Sequence, residues 1–237
     1  MRAVILAGGK GTRLRPYTTV LPKPLVPVAD RPILELVIRQ LARNGFTRVD
    51  LSVGHLGGLI KAYLDHIELP EGLRLRYWWE DSPMGTAGAL RQIEGLDEPF
   101  LAMNGDILTT LDYGQLMRFH GGHDGALTIA THRQKVEMEL GVITSEDGFV
   151  SRYQEKPTMR FDVSMGVYIY DPEVLEFIPE GGRFDFPDVV EAMLAANEKI
   201  AVYTAPGVWF DIGTVSEHER ASAEVEVHPE LFEDEDA

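Results

Sequence analysis

The sequence predicts an α/β fold built on a mostly parallel sheet flanked by helices, and three observations carry that expectation. Val4–Ala7 is a short continuous apolar run that stops at Gly8-Gly9, the pattern of a strand buried on both faces. Strand-like and helix-like segments then alternate through the first two-thirds of the chain, which favours crossover units and a parallel sheet. From about residue 140 the strand candidates are separated by turns instead, which adds a mixed-strand extension of the sheet or a small lobe.

After the first strand, Arg31–Asn44 carries Leu34, Val37, Ile38 and Leu41 on one helical stripe, with Gly45 as its stop. Val49–Val53 reads as a strand, Leu59–Leu64 as part of a helix, and Leu73–Trp79 as a third strand. Thr86–Ile93 is helical, Phe100–Met103 a buried strand, Tyr113–His120 a helix and Ala126–Thr131 extended. Beyond the change of rhythm, Gly141–Thr144, Phe149–Gln154 and Val163–Tyr170 read as strands. Val174–Ile178 and Val189–Ala196 follow as helices, then Ile200–Thr204 and Val208–Phe210 as strands. No Gly/Ser- or Pro-rich linker divides the chain, so residues 1–223 are read as a single domain. Residues 224–237 hold seven acids and no Lys or Arg and are expected to form an acidic, solvated tail.

Composition excludes whole classes of function. The chain has 237 residues, enough to bury a large core without disulfides or structural metal. With 38 acidic and 22 basic residues its net charge is −16, which argues against nucleic acid as a partner because phosphate backbones are neutralised by Lys and Arg. There is no cysteine, so disulfide scaffolds, cysteine–zinc sites, iron–sulfur clusters and cysteine nucleophiles are all ruled out. No stretch approaches 18 uninterrupted apolar residues, and the N-terminal run is too short for a signal core. A cytoplasmic protein that does not span a membrane is expected. The seven histidines show no metal-ligand spacing.

The most informative segment is Leu6-Ala7-Gly8-Gly9-Lys10-Gly11-Thr12-Arg13-Leu14. Glycine permits positive φ and lets phosphate approach backbone N–H groups without a Cβ in the way. The segment is neither of the two common phosphate loops. Lys10 is followed by Gly11 rather than Ser or Thr, and counting from Gly9 the sixth position is Leu14 rather than Gly. Glycines alone also suit a tight structural turn, but the continuation argues for function. Arg13 follows the loop, and Pro22-Lys23-Pro24 comes ten residues later, its prolines stiffening the backbone and holding Lys23 extended.

The run Gly8–Pro24, read as G-G-x-G-T-R-L-x-P-x-T-x-x-x-P-K-P, closely resembles the sugar-1-phosphate nucleotidyltransferases, and within them looks most like the mannose-1-phosphate guanylyltransferases. Asn104-Gly105-Asp106, Glu155-Lys156-Pro157 and Trp209-Phe210-Asp211-Ile212-Gly213-Thr214 follow in the family's order, so the resemblance covers nearly the whole chain. It implies a Rossmann-like domain, with the mixed extension facing the substrate. This domain would join a nucleoside triphosphate to a sugar 1-phosphate and release pyrophosphate. By resemblance Leu6, Ala7, Gly8, Gly9, Gly11, Thr12, Arg13 and Lys23 bind the nucleotide. Arg13 would contact the leaving phosphates and Lys23 the phosphate undergoing substitution, with Arg13, Lys23 and Asp106 as the catalytic set. Glu80, Pro83, Gly85, Thr86 and Gly88 resemble the segment that contacts the nucleobase, and the Gly-Thr-Ala-Gly form favours GTP. Small residues there would let a flat ring approach the backbone at a helix start, and a glycine-rich helix entry serves packing equally well.

Asp106 follows an apolar strand, at the sheet edge where open α/β sheets bind ligands. Asp211 is an acid flanked by Phe and Ile, costly to bury unless paired or coordinated. The resemblance makes both of them Mg²⁺ ligands. It further implies that Lys156 binds the sugar phosphate and Glu155 the sugar hydroxyls, with Asn104, Gly141, Ser164 and Gly166 beside them. Leu140 and Ser164 depart from the family's usual tyrosine and asparagine, which leaves the sugar open between mannose and a relative. Thymidylyl, uridylyl or cytidylyl transfer to another sugar or alcohol phosphate and a non-catalytic regulatory role are the alternatives, and a homodimer is compatible with the sequence. A glycosyltransferase is disfavoured, because its D-x-D motif is replaced here by Asn104-Gly105-Asp106.

Overall fold

In the computed structural model, which describes residues 1–232, the chain opens with β1 (Arg2–Ala7), a glycine loop, and a two-stranded hairpin of β2 (Pro27–Val28) and β3 (Arg31–Pro32). Then come α1 (Ile33–Arg43), β4 (Arg48–Val53), α2 (Gly57–Leu64), β5 (Arg74–Trp79) and the single turn α3 (Gly85–Gly88). β6 (Phe100–Asn104), β7 (Ile107–Thr109), α4 (Tyr113–His120) and β8 (Leu127–Glu137) follow, then β9 (Val142–Glu146) and β10 (Phe149–Gln154). The chain continues through β11 (Thr158–Tyr170), α5 (Phe186–Ala195), β12 (Ile200–Thr204), β13 (Trp209–Asp211) and α6 (Val215–Val227).

Seven strands form one sheet in the order β12-β8-β11-β6-β1-β4-β5, with β11 antiparallel to both neighbours and every other adjacent pair parallel. The expected mostly parallel sheet is what the chain builds. Its central strands are buried on both faces. On β1, Ala3, Ile5 and Ala7 join the core under α1 and α6, while Val4 points into the core under α3 and α5. β6 and β11 alternate in the same way, with Phe100, Ala102, Tyr168 and Tyr170 on the second face. Leu34, Val37, Ile38 and Leu41 of α1 are fully buried, each worth about 1.5–3 kcal/mol relative to exposure.

After β1 the chain lays β4 and β5 on one side and β6 on the other, so the strand order reverses between β1 and β6. A crevice opens at the carboxyl ends of strands where an open sheet reverses in this way. The glycine loop leaves β1 there and Asn104-Gly105-Asp106 leaves β6 there, joined by the Gly105 N–H donating to the Leu6 carbonyl at 2.9 Å.

Several sequence expectations need correction. Thr86–Ile93 is not one helix: α3 ends at Gly88 and a 3₁₀ turn covers Ala89–Gln92. Val174–Ile178 is a 3₁₀ segment over Pro172–Phe177. Lys23 is not extended but begins a 3₁₀ turn, Lys23–Leu25, because the preset φ of Pro24 suits the second position of such a turn. The tail expected from Glu224 begins inside α6. Ala221 and Val225 pack inward one turn apart, and Phe232 is fully buried, its carbonyl accepting from Arg43 at 2.6 Å. The Thr214 hydroxyl accepts from the Glu217 N–H, an N-cap signal that was legible in Thr-x-x-Glu. The remainder of the acidic stretch, 233–237, lies outside the described residues.

The mixed extension is an antiparallel arm. β8 and β11 run on past the sheet, pairing Arg133 with Asp162 and Glu137 with Thr158, and the β9–β10 ribbon connects them. Among the described residues no helix is long and apolar enough to cross a membrane.

Candidate active site

The sheet's reversal point gathers four chain segments. The glycine loop is folded back on the segment carrying Lys23. Gly11 has φ 60, and a Cβ there would come within 3.0 Å of the Lys23 Cβ and the Thr18 Cγ2. Thr18 also donates to the Gly11 carbonyl at 2.7 Å, so a residue from the middle of the Gly8–Pro24 run holds the loop's shape. Gly9 has nothing near its Cα and is exposed with Lys10, leaving the rim of the loop open.

Lys23 is only 9% exposed and points inward. Its ammonium pairs with Asp106 and lies 4.0 Å from Asp211. The two aspartates, 105 positions apart, meet because β7 and β13 pair antiparallel with Ile107 opposite Asp211, and the Ile212 N–H donates to the Asp106 carbonyl at 3.1 Å. Burial, and then the negative charge of Asp106, push the Asp211 carboxyl above the ordinary range, and Lys23 offsets part of this. Asp106 Oδ1 is buried without a hydrogen-bond partner. A buried carboxylate oxygen of this kind calls for a cation. Two carboxylates with one orphaned oxygen fit Mg²⁺, which takes few protein ligands and completes its shell with water and phosphate oxygens. Among the described residues no group of three or more His, Cys, Asp or Glu converges as a metal site. Arg13 is exposed, its guanidinium against Gly213 and electrostatically favourable to Asp211.

Glu80 reaches back over the loop from the end of β5. A Cβ at Gly8 would collide with its carboxylate, which accepts from Ser52 Oγ at 2.8 Å and from the Met84 N–H at 3.3 Å. Thr12 and Pro83 are exposed near the same loops. Gly85 and Gly88 have a packing reason of their own. Their small size admits the chain's Phe184–Asp185 turn. Gly85 has φ 81 and abuts the Phe184 carbonyl, Thr86 N–H donates to Asp185 Oδ1 at 3.0 Å, and the Ala87 and Gly88 N–H groups donate to the Phe184 carbonyl at 3.0 and 2.9 Å. The nearby Gly182 carbonyl completes the packing over buried Gly88. Sequence reasoning missed Asp185 because its partner lies 99 positions away. Gly85→Ala therefore forces an L side chain into positive φ and against a carbonyl, at about 3 kcal/mol. A melting curve should show Tm lower by roughly 6–12 °C.

On the other side of Asp106, Asn104 faces a bulge in β11. Gly166 has φ 73, and a Cβ there would come within 2.8 Å of the Asn104 Nδ2. Ser164 sits at the rim of this bulge, and Trp209 Nε1 donates to the Met165 carbonyl at 3.0 Å. The remaining expected residues are not brought to the cluster. Gly141, Glu155 and Lys156 lie on the arm: Gly141 packs on the Tyr153 hydroxyl, Glu155 accepts from that same hydroxyl, and Lys156 is exposed at φ 41.

An α/β sheet with a glycine-rich phosphate loop, a buried lysine and a carboxylate pair at its reversal point defines a class of nucleotide-handling proteins. Residues 2–227 match the nucleotidyl transferase family model, and the chain belongs to that family. It is 31% identical over 249 residues to a UTP–glucose-1-phosphate uridylyltransferase of Synechocystis sp., covering 93% of this chain and 62% of the relative. It is 33% identical over 220 residues to the mannose-1-phosphate guanylyltransferase catalytic subunit beta of Dictyostelium discoideum, covering 90% and 61%. The chain thus spans about three-fifths of the length of these relatives. The crystal structure of HddC from Yersinia pseudotuberculosis superposes with a TM-score of 0.73 at 25% identity, covering 94% of this chain and 98% of that one.

Proposed function

We propose that the protein transfers a nucleotidyl group from a nucleoside triphosphate to a sugar 1-phosphate, giving a nucleotide sugar and pyrophosphate. The observation that carries this reading is the Lys23–Asp106–Asp211 cluster beside the glycine loop. A sugar-phosphate oxygen attacks the α-phosphorus in line, and the bond from that phosphorus to the pyrophosphate oxygen breaks. No covalent enzyme intermediate is required, since positioning and fixed charge can carry phosphoryl-type transfer. Lys23 binds the α-phosphate, Arg13 holds the leaving phosphates, and the loop's exposed rim receives them. Asp106 and Asp211 would hold Mg²⁺, which when bound supplies positive charge to the phosphate oxygens.

Guanosine is the base this site suits best, and Glu80 supports it. A carboxylate is acceptor-only, and the guanine edge offers two adjacent donors, N1–H and the 2-amino group, whereas uracil and thymine offer one donor flanked by acceptors. Mannose 1-phosphate or a related sugar phosphate is the matching acceptor. The test is a matrix of triphosphates against sugar 1-phosphates scored by pyrophosphate release. GTP is expected to lead in the parent. Glu80→Gln, which supplies one donor and one acceptor, should lower kcat/KM for GTP by about 10–100-fold and raise that for UTP or TTP relative to it. Unchanged base ranking would remove Glu80 from base recognition, and no release with any pair would overturn the transferase reading itself.

A further inference from the structure

The segment that carries Lys23 is poor in donors. Pro22-Lys23-Pro24-Leu25-Val26-Pro27-Val28 holds three prolines, which have no N–H, so it must be anchored largely through its carbonyls. Part of that anchoring is local, with the Leu25 N–H donating to the Pro22 carbonyl at 2.9 Å and the Val26 N–H to the Lys23 carbonyl at 3.0 Å. α1 supplies another donor, the Ile33 N–H, to the Val26 carbonyl at 3.3 Å. α6 supplies the next: His218 Nε2 lies 2.6 Å from the Pro27 carbonyl, 191 positions away in sequence. A carbonyl only accepts, so Nε2 carries the hydrogen and donates. The centroid of the same ring lies 5.3 Å from that of Tyr17, the neighbour of the Thr18 that holds the glycine loop.

His218 Nδ1 is buried with no hydrogen-bond partner. An apolar side chain would fill the same space and leave no such atom unpaired, so packing does not explain the ring. What the imidazole adds is the Nε2 donor, carried on the helix that follows the Asp211 strand. Its neighbour Glu217 fixes that connection, accepting from the Gly213 N–H at 3.2 Å and from the Thr214 hydroxyl at 2.9 Å. The first turn of α6 therefore holds the end of the Asp211 strand through Glu217 and the Lys23 segment through His218.

We propose that His218 is a positioning residue: by tying the Pro27 carbonyl to α6, it sets where the Lys23 ammonium stands relative to Asp211 and to the α-phosphate. The Lys23–Leu25 turn leads almost directly into Pro27, so movement at Pro27 is passed to Lys23. Displacing such a charge by about 1 Å can cost up to roughly 10²-fold in rate.

The kinetic effect of His218 rests on the nucleotidyl transfer reading, whereas its hold on the loop does not, and two measurements keep these apart. His218→Leu removes the donor and the unpaired nitrogen together. kcat for pyrophosphate release is expected to fall about 10-fold, with KM for both substrates within about threefold and Tm within about 4 °C of the parent. His218→Gln, whose amide nitrogen can stand near the place of Nε2, should restore kcat to within about threefold. In the Lys23→Met background His218→Leu should cost nothing further, because it acts through Lys23. Without any substrate, hydrogen exchange of the Leu25 and Val26 amides should quicken about fivefold or more in His218→Leu and not in His218→Gln. Unchanged exchange in the loop, an equal loss of kcat in both backgrounds, or exchange quickened throughout the chain together with a lower Tm would overturn the positioning role. A parent that releases no pyrophosphate from any substrate pair, while loop exchange responds as expected, would overturn the transfer reading and leave His218 as the anchor of the Lys23 segment.

Discussion

Asp211→Asn is expected to lose most nucleotidyl transfer without losing stability. Asparagine nearly matches the shape of aspartate but removes the charge that would hold Mg²⁺. Loss of one preorganised charge interaction of this kind costs about 10²–10³ in kcat. Stability should move the other way. The carboxyl of Asp211 is held above its ordinary range by burial and by Asp106. An acid whose folded value is raised penalises folding increasingly as pH climbs past its unfolded value, and fully once pH exceeds the folded one. At neutral pH the parent carries that penalty and the asparagine variant does not, so Tm of the metal-free variant should equal or exceed that of the parent. Asp106→Asn should match the loss of turnover, and the double variant should add little to the worse single, because the two residues serve one ion. Calorimetry of Mg²⁺ or Mn²⁺ binding checks the cause: all three variants should lose the titration seen in the parent. Retained metal affinity, or losses of activity that multiply, would sink the shared-cation account.

Lys23→Met should produce the second large effect, with the opposite stability outcome. Methionine keeps the unbranched stem and removes the ammonium. kcat should fall roughly 10²–10³-fold through loss of the charge on the α-phosphate. The same change leaves Asp106 and Asp211 facing each other with no cation between them. Breaking a fully buried pair costs about 3–5 kcal/mol, and less is expected here because Asp106 is partly open. Tm at pH 7 should therefore drop, and the deficit should shrink as pH falls, because the Asp211 carboxyl, already held above its ordinary range, gives up its charge on taking a proton. Added Mg²⁺ should also recover part of it. A variant as stable as the parent at pH 7 would show that Lys23 does not neutralise the pair in the folded protein.

The charged groups that meet at the crevice stood out in the sequence by their local context. Gly8–Pro24 joins a loop of small residues to an arginine and a proline-flanked lysine, Asp106 closely follows an apolar strand, and Asp211 ends another. What the base-side glycines admit was not legible in the sequence, for a physical reason. Gly85 and Gly88 satisfy a close approach, and sequence alone does not reveal whether the approaching group is a ligand or the Phe184 backbone a hundred residues away. Where the acidic tail begins was not legible, because Val225 and Phe232 are held by packing against distant segments.

By itself the sequence determined the alternating α/β plan, the glycine loop, and the identity of the charged groups, since periodicity, glycine placement and flanking prolines act over a few residues. Tertiary structure alone decided which of those groups meet. β1 and β6 become neighbours only through the reversal of strand order, and Asp106 meets Asp211 only through the β7–β13 pair. Phe186 of α5 stacks on Tyr168 of β11 only because the two elements pack into one core. Contacts between segments tens to a hundred residues apart are set by the packing of whole elements, and no local pattern in the chain encodes them.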